Sequence, residues 1–279
     1  MKTTIILVVY KSKLEDSNTY TSLLSVLNNN QSLKKDLSIV IYDNSPEKQE
    51  LPTNNQALEV SYVHDPRNLG LATAYNFAYQ LSLKNKSEWL LLLDHDTTLN
   101  EDYVKAILKV DKSIPDQIAA VVPKVVSKNI MISPVTSLSL LPLLEERPTP
   151  GLQTSPIMAI NSGALIKIDF LKQIGGFTEE FPLDYLDHWL FYKIYNTGHK
   201  VLLLDGVELQ HELSVMDFGS ISSARYRSIL DSEIKYYKNY RKELFPAYKK
   251  LMVRRLIRQI LIEKNKKIAA YTLRRLFSL

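Results

Sequence analysis

Glu88-Trp89-Leu90-Leu91-Leu92-Leu93-Asp94-His95-Asp96 is the stretch on which the reading of this chain turns. An apolar run that ends abruptly in acids is the pattern of a strand buried on both faces that surfaces at its carboxyl end. Working outward, residues 3–10, 37–43, 58–64 and 118–126 are also short, apolar and mostly rich in branched side chains. Between these runs, residues 14–27, 71–83 and 102–110 carry helical amphipathic spacing. The alternation predicts an α/β domain, a Rossmann-like and mostly parallel sheet flanked by helices. Ligands of such sheets bind beyond the carboxyl ends of the strands, which is where Asp94, His95 and Asp96 stand.

Farther along, Pro134, Pro142, Pro148, Pro150 and Pro156 interrupt residues 129–156, which read as a long loop. Residues 157–168 return to a strand pattern, and Gly175-Gly176 marks a turn. Residues 186–195 are predicted helical with a stop at Gly198, and 200–205 form a further strand. From residue 221 onward the pattern is helical to the end, broken near Pro246 and Asn265. The expected division is 1–222 for the α/β domain and 223–279 for a helical extension.

Composition bounds the chemistry. The 279 residues are 45% hydrophobic and 23% charged, which is globular composition and excludes disordered and collagen-like classes. Cysteine is absent, so there is no disulfide, thiolate nucleophile or zinc–thiolate site; this suits a reducing cytoplasm. Apolar runs such as 89–93 and 201–204 fall far short of the roughly 18 residues of a membrane-spanning helix, and residues 1–10 read as a strand rather than a signal peptide. Charge is divided unevenly. Residues 1–224 hold 19 Lys and Arg against 26 Asp and Glu, a net of −7, whereas 225–279 hold 16 against 4, a net of +12. An acidic body with a basic tail points to a tail that meets phosphates.

Several residues could carry chemistry. Side chains alternate along a strand, so Asp94 and Asp96 would share one side and His95 the other. Two hard oxygen donors suit Mg2+ or Mn2+ held jointly with a diphosphate; as an alternative, they cap a strand and the next helix. Asp43-Asn44-Ser45 could receive a base or ribose, or be an ordinary turn. In 68–76, Gly70 and small residues would admit a ligand to a positive helix end, or allow close helix packing. Asp184, Asp187 and His188, at i, i+3 and i+4, would share a helical face, as a general base and its neighbours or as a solvated acidic face. His211 could contact a metal or diphosphate, or be a structural hydrogen-bonder.

In order along the chain, IILVVYKS, IYDNS, NLGLATAYN, LLLDHDT, INSGALI, GGFTEEFPLDYLDHW and QHELS resemble the inverting glycosyltransferases of family 2, which have the GT-A fold. More narrowly, the chain is similar to the bacterial rhamnosyltransferase branch. The resemblance runs from the first strand to about Tyr240. It implies that Tyr10 and Asp43 help hold a nucleotide-sugar and that Asn68 and Asn76 flank it. Asp94 and Asp96 match the DxD motif, with Asp94 also touching the donor and Asp96 the more direct ligand of Mg2+ or Mn2+. Asp187 matches the catalytic base, and His211 matches a histidine near the metal or diphosphate. The chain departs from the pattern in DNSP, in HELS, and in His188-Trp189 where a second acid is usual. The implied donor is dTDP-rhamnose, with a UDP-hexose as the alternative, and the implied acceptor is a saccharide or a lipid-linked one in cell-surface polysaccharide synthesis. A non-catalytic nucleotide-binding scaffold is the rival from another class. A nucleotidyltransferase is disfavoured because no Gly-rich basic loop follows the first strand.

In the tail, Met252, Val253, Leu256, Ile257, Ile260 and Leu261 gather on one helical side beside a stripe of Lys250, Arg254 and Arg258, with Arg255 out of pattern. Such a helix could lie on an anionic membrane surface at the inner face of the cell membrane, or pack on the catalytic domain or a second subunit in an oligomer. Nucleic acid is not expected, since no recognisable binding module accompanies the charge.

Overall fold

The computed structural model describes residues 2–51, 60–110, 114–211, 222–263 and 265–279. Strand β1 (Thr3–Val9) is buried from end to end, and its alternation divides the core. Ile6 and Val8 face one hydrophobic cluster, while Ile5, Leu7 and Val9 face another across the sheet. A single 3-10 turn at Leu14–Asp16 precedes α1 (Asn18–Asn29), because the Ser17 side chain accepts the Tyr20 N–H and starts the helix there. There follow β2 (Leu37–Asp43), β3 (Val60–His64), α2 (Leu71–Lys84), β4 (Trp89–Asp94), the two-residue β5 (Thr97–Thr98) and α3 (Glu101–Leu108). Residues 58 and 59, expected at the start of β3, lie outside the described residues.

In the second half come β6 (Ile118–Ser127), β7 (Ile130–Ser133), β8 (Val135–Thr136), β9 (Gly151–Gln153), β10 (Ile157–Met158), β11 (Ala164–Lys167), α4 (Ile168–Ile174), α5 (Leu186–Asn196) and β12 (Lys200–His211). Three of these, β7, β8 and β9, correct the long loop expected over 129–156. Short runs between the prolines find free edges: β7 folds back on β6, β9 pairs with β12, and β8 pairs with β10. The strand expected over 157–168 is divided into β10 and β11. β12 runs beyond the expected residue 205, because a register shift between Leu203 and Glu208 lets it resume pairing with β6.

The main sheet runs β3-β2-β1-β4-β11-β6-β12-β5. Its first four strands are parallel, as the βα rhythm predicts. Beyond them the sheet is mixed, because β11 enters antiparallel between β4 and β6. The chain leaves β1 for β2 on one side and returns through β4 on the other. That reversal opens a crevice at the carboxyl ends of β1 and β4.

Three helices close the chain: α6 (Ser223–Asn239), α7 (Phe245–Ile262) and α8 (Lys266–Phe277). The first break falls at 240–244, with Pro246 inside the first turn of α7, where its missing N–H costs nothing. Tyr226, Leu230, Tyr237, Tyr248, Met252 and Ile268 join the core beneath α5. Arg255, out of pattern in the sequence, turns inward: its two terminal nitrogens donate to both oxygens of buried Glu233 at 2.6 and 2.8 Å. The apolar side of α7 is thereby split. Met252 and Leu256 are buried, whereas Val253, Ile257, Ile260 and Leu261 are exposed beside exposed Lys250, Arg254 and Arg258. Among the described residues no helix is long and apolar enough to cross a membrane.

Candidate active site

A cavity of about 610 Å³ occupies the crevice beyond β1 and β4. Asp94 ends β4 on the same side as Leu90 and Leu92, above the fully buried Tyr75 of α2, whose hydroxyl lies 3.4 Å from Asp94 Oδ1. Burial first, and the charge of Asp96 second, push the Asp94 carboxyl up to about 7. The strand stops at Asp94, so alternation does not continue. The chain turns through His95 and Asp96, and His95, expected to point away, lines the cavity with both acids. The turn is held from beneath: Ser17 Oγ donates to the His95 carbonyl at 2.8 Å, and Thr19 Oγ1 to the Thr97 carbonyl at 2.8 Å. Ser162, just before β11, accepts the Asp94 N–H at 2.9 Å.

His211, at the end of β12, places Nδ1 2.9 Å from Thr97 Oγ1 and 3.5 Å from Asp96 Oδ1. It therefore stands beside Asp96. Among the described residues no group of three or more His, Asp or Glu is already arranged to hold an ion. The two carboxylates alone still fit a divalent cation. Asp96 Oδ1 is buried without a hydrogen-bond partner, and burial together with the charge of Asp96 disfavours ionisation of Asp94. Mg2+ and Mn2+ are commonly held by one or two carboxylates with the remaining positions filled by phosphate oxygens and water. The residues after His211 in the QHELS motif lie outside the described residues.

Asp187 stands in the first turn of α5 at the cavity wall. Its Oδ1 accepts the His188 N–H at 2.7 Å and lies 2.9 Å from His188 Nδ1. Burial opposes its ionisation, but the His188 charge and these hydrogen bonds outweigh burial and hold the carboxyl below its ordinary value. The His188 ring rests on Tyr185 at 4.3 Å and meets Tyr236 of α6 edge-on at 5.4 Å. Asp184 does not share the helical face expected for it. Tyr185 takes a left-handed φ of 67° and the helix begins only at Leu186. Asp184 turns instead to α6, where it accepts Arg225 Nη1 at 2.6 Å and Ser228 Oγ at 2.9 Å.

Gly70 decides how this wall is built. Its φ is +96°, and a Cβ there would lie 2.3 Å from the Pro182 carbonyl oxygen, which also accepts the Ala72 N–H at 3.1 Å. The close approach that glycine permits is thus made by the 182–185 loop, at the N-terminus of α2, rather than by a ligand. Tyr10 and Asn68 line the cavity. Asp43 and Asn76 do not reach it. Asp43 is fully buried and takes hydrogen bonds from Ser45 N–H, Gln49 Nε2 and Tyr62 Oη. The Asn76 amide is consumed in a two-way clasp with the Phe177 backbone, at 2.8 Å in each direction.

Three other polar residues line the cavity, of which the sequence named Asn44, beside Asp43, but neither Asn161 nor Arg225 as a candidate. Asn44 and Asn161 each bury a side-chain oxygen with no partner, and Arg225 enters from α6. The two asparagines stand inside quoted motifs, DNS and INSG; nothing local marks Arg225. With Asp96 Oδ1, the Asn44 and Asn161 oxygens make three orphaned acceptors around one cavity. Unsatisfied buried acceptors cost free energy, and bound cations or donor groups of a ligand would relieve them.

The model of the family described as "Glycosyl transferase family 2" matches residues 4–175. A search of curated proteins finds no significant match. Among solved structures, GalNAc-T7 crystallised with UDP, GalNAc and Mn2+ is similar at a TM-score of 0.60 and 15% identity, over 90% of this chain and 50% of that one. The chain thus spans half the length of that protein. Mannosyltransferase PcManGT from Pyrobaculum calidifontis, in complex with GDP-Man and Mn2+, is similar at a TM-score of 0.52 and 14% identity, over 99% of this chain and 80% of that one. S. aureus TarS 1-349 gives a TM-score of 0.50 at 15% identity, over 100% and 83%. At these identities the likeness is one of fold, and that fold is GT-A.

Proposed function

The chain belongs to glycosyl transferase family 2, and on that premise we propose that it transfers a sugar from a nucleotide-sugar to an acceptor hydroxyl with inversion at the anomeric carbon. The observation that carries this reading is the cavity at the β1/β4 switch point, with the pair Asp94 and Asp96 at one wall and Asp187 at another. Residues 1–222 supply the catalytic unit, and 223–279 form an extension that lends it a wall.

Asp94 and Asp96 would hold Mg2+ or Mn2+; the GalNAc-T7 and PcManGT structures contain Mn2+. The ion would neutralise charge gathering on the departing nucleoside diphosphate. Asp187, kept ionised by His188, takes the proton of the acceptor hydroxyl as its oxygen bonds to the anomeric carbon and the bond to the diphosphate oxygen breaks. A weak base suffices, because the hydroxyl becomes acidic only as that bond forms. Tyr10 and Asn68, with Asn44 and Asn161, line the cavity and would meet the nucleotide-sugar.

Sequence motifs favour rhamnose from dTDP-rhamnose, and bacterial cell-surface polysaccharide as the destination. The exposed Val253, Ile257, Ile260 and Leu261 beside Lys250, Arg254 and Arg258 support attachment to the anionic cytoplasmic face of a membrane, close to a lipid-linked acceptor. Incubation with dTDP-rhamnose, UDP-hexoses and GDP-mannose in MnCl2, scoring nucleoside diphosphate release, tests the function. Release from one donor supports transfer; binding without release, with every acceptor class supplied, supports a scaffold instead.

A further inference from the structure

Carboxylates dominate the cavity. Asp94, Asp96, Asp184 and Asp187 line it, and Arg225 is the one Lys or Arg among its described lining residues. A diphosphate brought into such a place meets like charge on several sides, and one divalent cation at Asp94 and Asp96 balances only part of it. Arg225 stands on another wall, delivered by the first turn of α6.

Its position is fixed. Nη1 donates to Asp184 Oδ2 at 2.6 Å, and Ser228 Oγ donates to the same oxygen at 2.9 Å. The Asp184 side chain is only 10% exposed and sits in the loop that Gly70 allows to dock on α2, whereas the arginine side chain keeps 36% exposure. A guanidinium carries five N–H donors in a planar fork, and the bond to Asp184 uses one of its three nitrogens. Such a fork matches two oxygens of a phosphate, and its charge does not titrate in the working range.

We propose that Arg225 is a phosphate-binding residue of this site, held ready by Asp184 and Ser228, so that the basic C-terminal extension contributes directly to ligand recognition. The phosphate comes from the diphosphate of the donor or from that of a lipid-linked acceptor. The inference rests on the reading of the cavity as a nucleotide-sugar site.

The test uses the full chain and calorimetry in MnCl2, with two probes: whichever of UDP, GDP and dTDP the wild type binds best, and farnesyl diphosphate in the presence of that nucleotide. The variant is Arg225→Gln combined with Asp184→Asn, which leaves no unpaired buried carboxylate. Loss of a charge-assisted contact should weaken one probe by about 10- to 100-fold. Weakening of the nucleotide places Arg225 on the donor; weakening of farnesyl diphosphate alone places it on the acceptor. If both probes bind the folded variant as they bind the wild type, the arginine is only a pin between α6 and the 182–185 loop and the inference falls. Should the double variant not fold, Arg225→Lys, which keeps the ion pair but loses the fork, must still weaken one probe, and wild-type binding of both overturns the proposal. A wild type that binds neither probe overturns the reading of the cavity along with it.

Discussion

Asp94→Asn should stabilise the protein while removing one of the two carboxylates proposed to hold the metal. The Asp94 carboxyl is pushed from 3.8 up to about 7 by burial and by Asp96. Below about pH 4 the folded and unfolded chains both carry its proton. Between there and pH 7 the unfolded chain has released the proton while the folded chain keeps it, so stability is lost as pH rises through this window. At about 1.4 kcal/mol per pH unit the loss has an upper bound of roughly 4 kcal/mol. Relaxation and solvent entry reduce it, and about 2 kcal/mol is expected. Asparagine imitates the neutral acid and escapes the loss. In chelator at pH 8.5, Asp94→Asn should melt higher than wild type by roughly 4 to 8 °C, and at pH 4.5 the gap should nearly close. Thermal melts followed by circular dichroism at the two pH values decide it. An equal gap at both, or a wild type that melts higher at pH 8.5, would refute the account of this carboxyl.

Asp187→Asn keeps shape but removes basicity, so calorimetry should find donor binding intact while transfer falls by about 10² to 10⁴-fold; unchanged turnover would move the base elsewhere. Gly70→Ala should cost roughly 2 to 5 kcal/mol in denaturant unfolding, since the new Cβ meets the Pro182 carbonyl in a left-handed backbone. The triple change of Lys250, Arg254 and Arg258 to Glu should leave the fold intact and abolish co-sedimentation with anionic vesicles. Wild-type binding should weaken as salt shortens the Debye length from about 10 Å at 0.1 M to about 3 Å at 1 M. Arg255→Ala, by contrast, should lower stability by roughly 2 to 3 kcal/mol, because it strands buried Glu233.

What the sequence reveals follows how locally each feature is encoded. The parallel strands β1 to β4 are legible because each is a short apolar run with acids or turns at its end, and the pattern needs no knowledge of the partner strand. The acid pair is legible for the same reason, although its geometry is not. A strand rule carried one residue past the end of β4 sends His95 outward, when the real turn is held by Ser17 and Thr19 from another helix. The short strands β7 to β9 escape notice because their identity lies in the edges they join. Asp43 and Asn76 sit in recognisable motifs yet spend their polar atoms on neighbours, which only the packed structure reveals. Arg225 meets Asp184 through a tertiary contact, and nothing near either residue announces it. Arg255 shows the same limit in the tail, where a misplaced charge proves to be the inward half of a buried ion pair.

Calorimetry of nucleoside diphosphate binding with MnCl2 and with chelator, for wild type and Asp96→Ala, tests most directly whether the acid pair and its cavity form a metal-dependent nucleotide-sugar site. Wild type should bind at least tenfold tighter with manganese, about 1.4 kcal/mol, and Asp96→Ala should bind weakly and equally in both conditions. Equal affinity of wild type with and without the ion would contradict the account, as would an Asp96→Ala variant that keeps the full manganese effect.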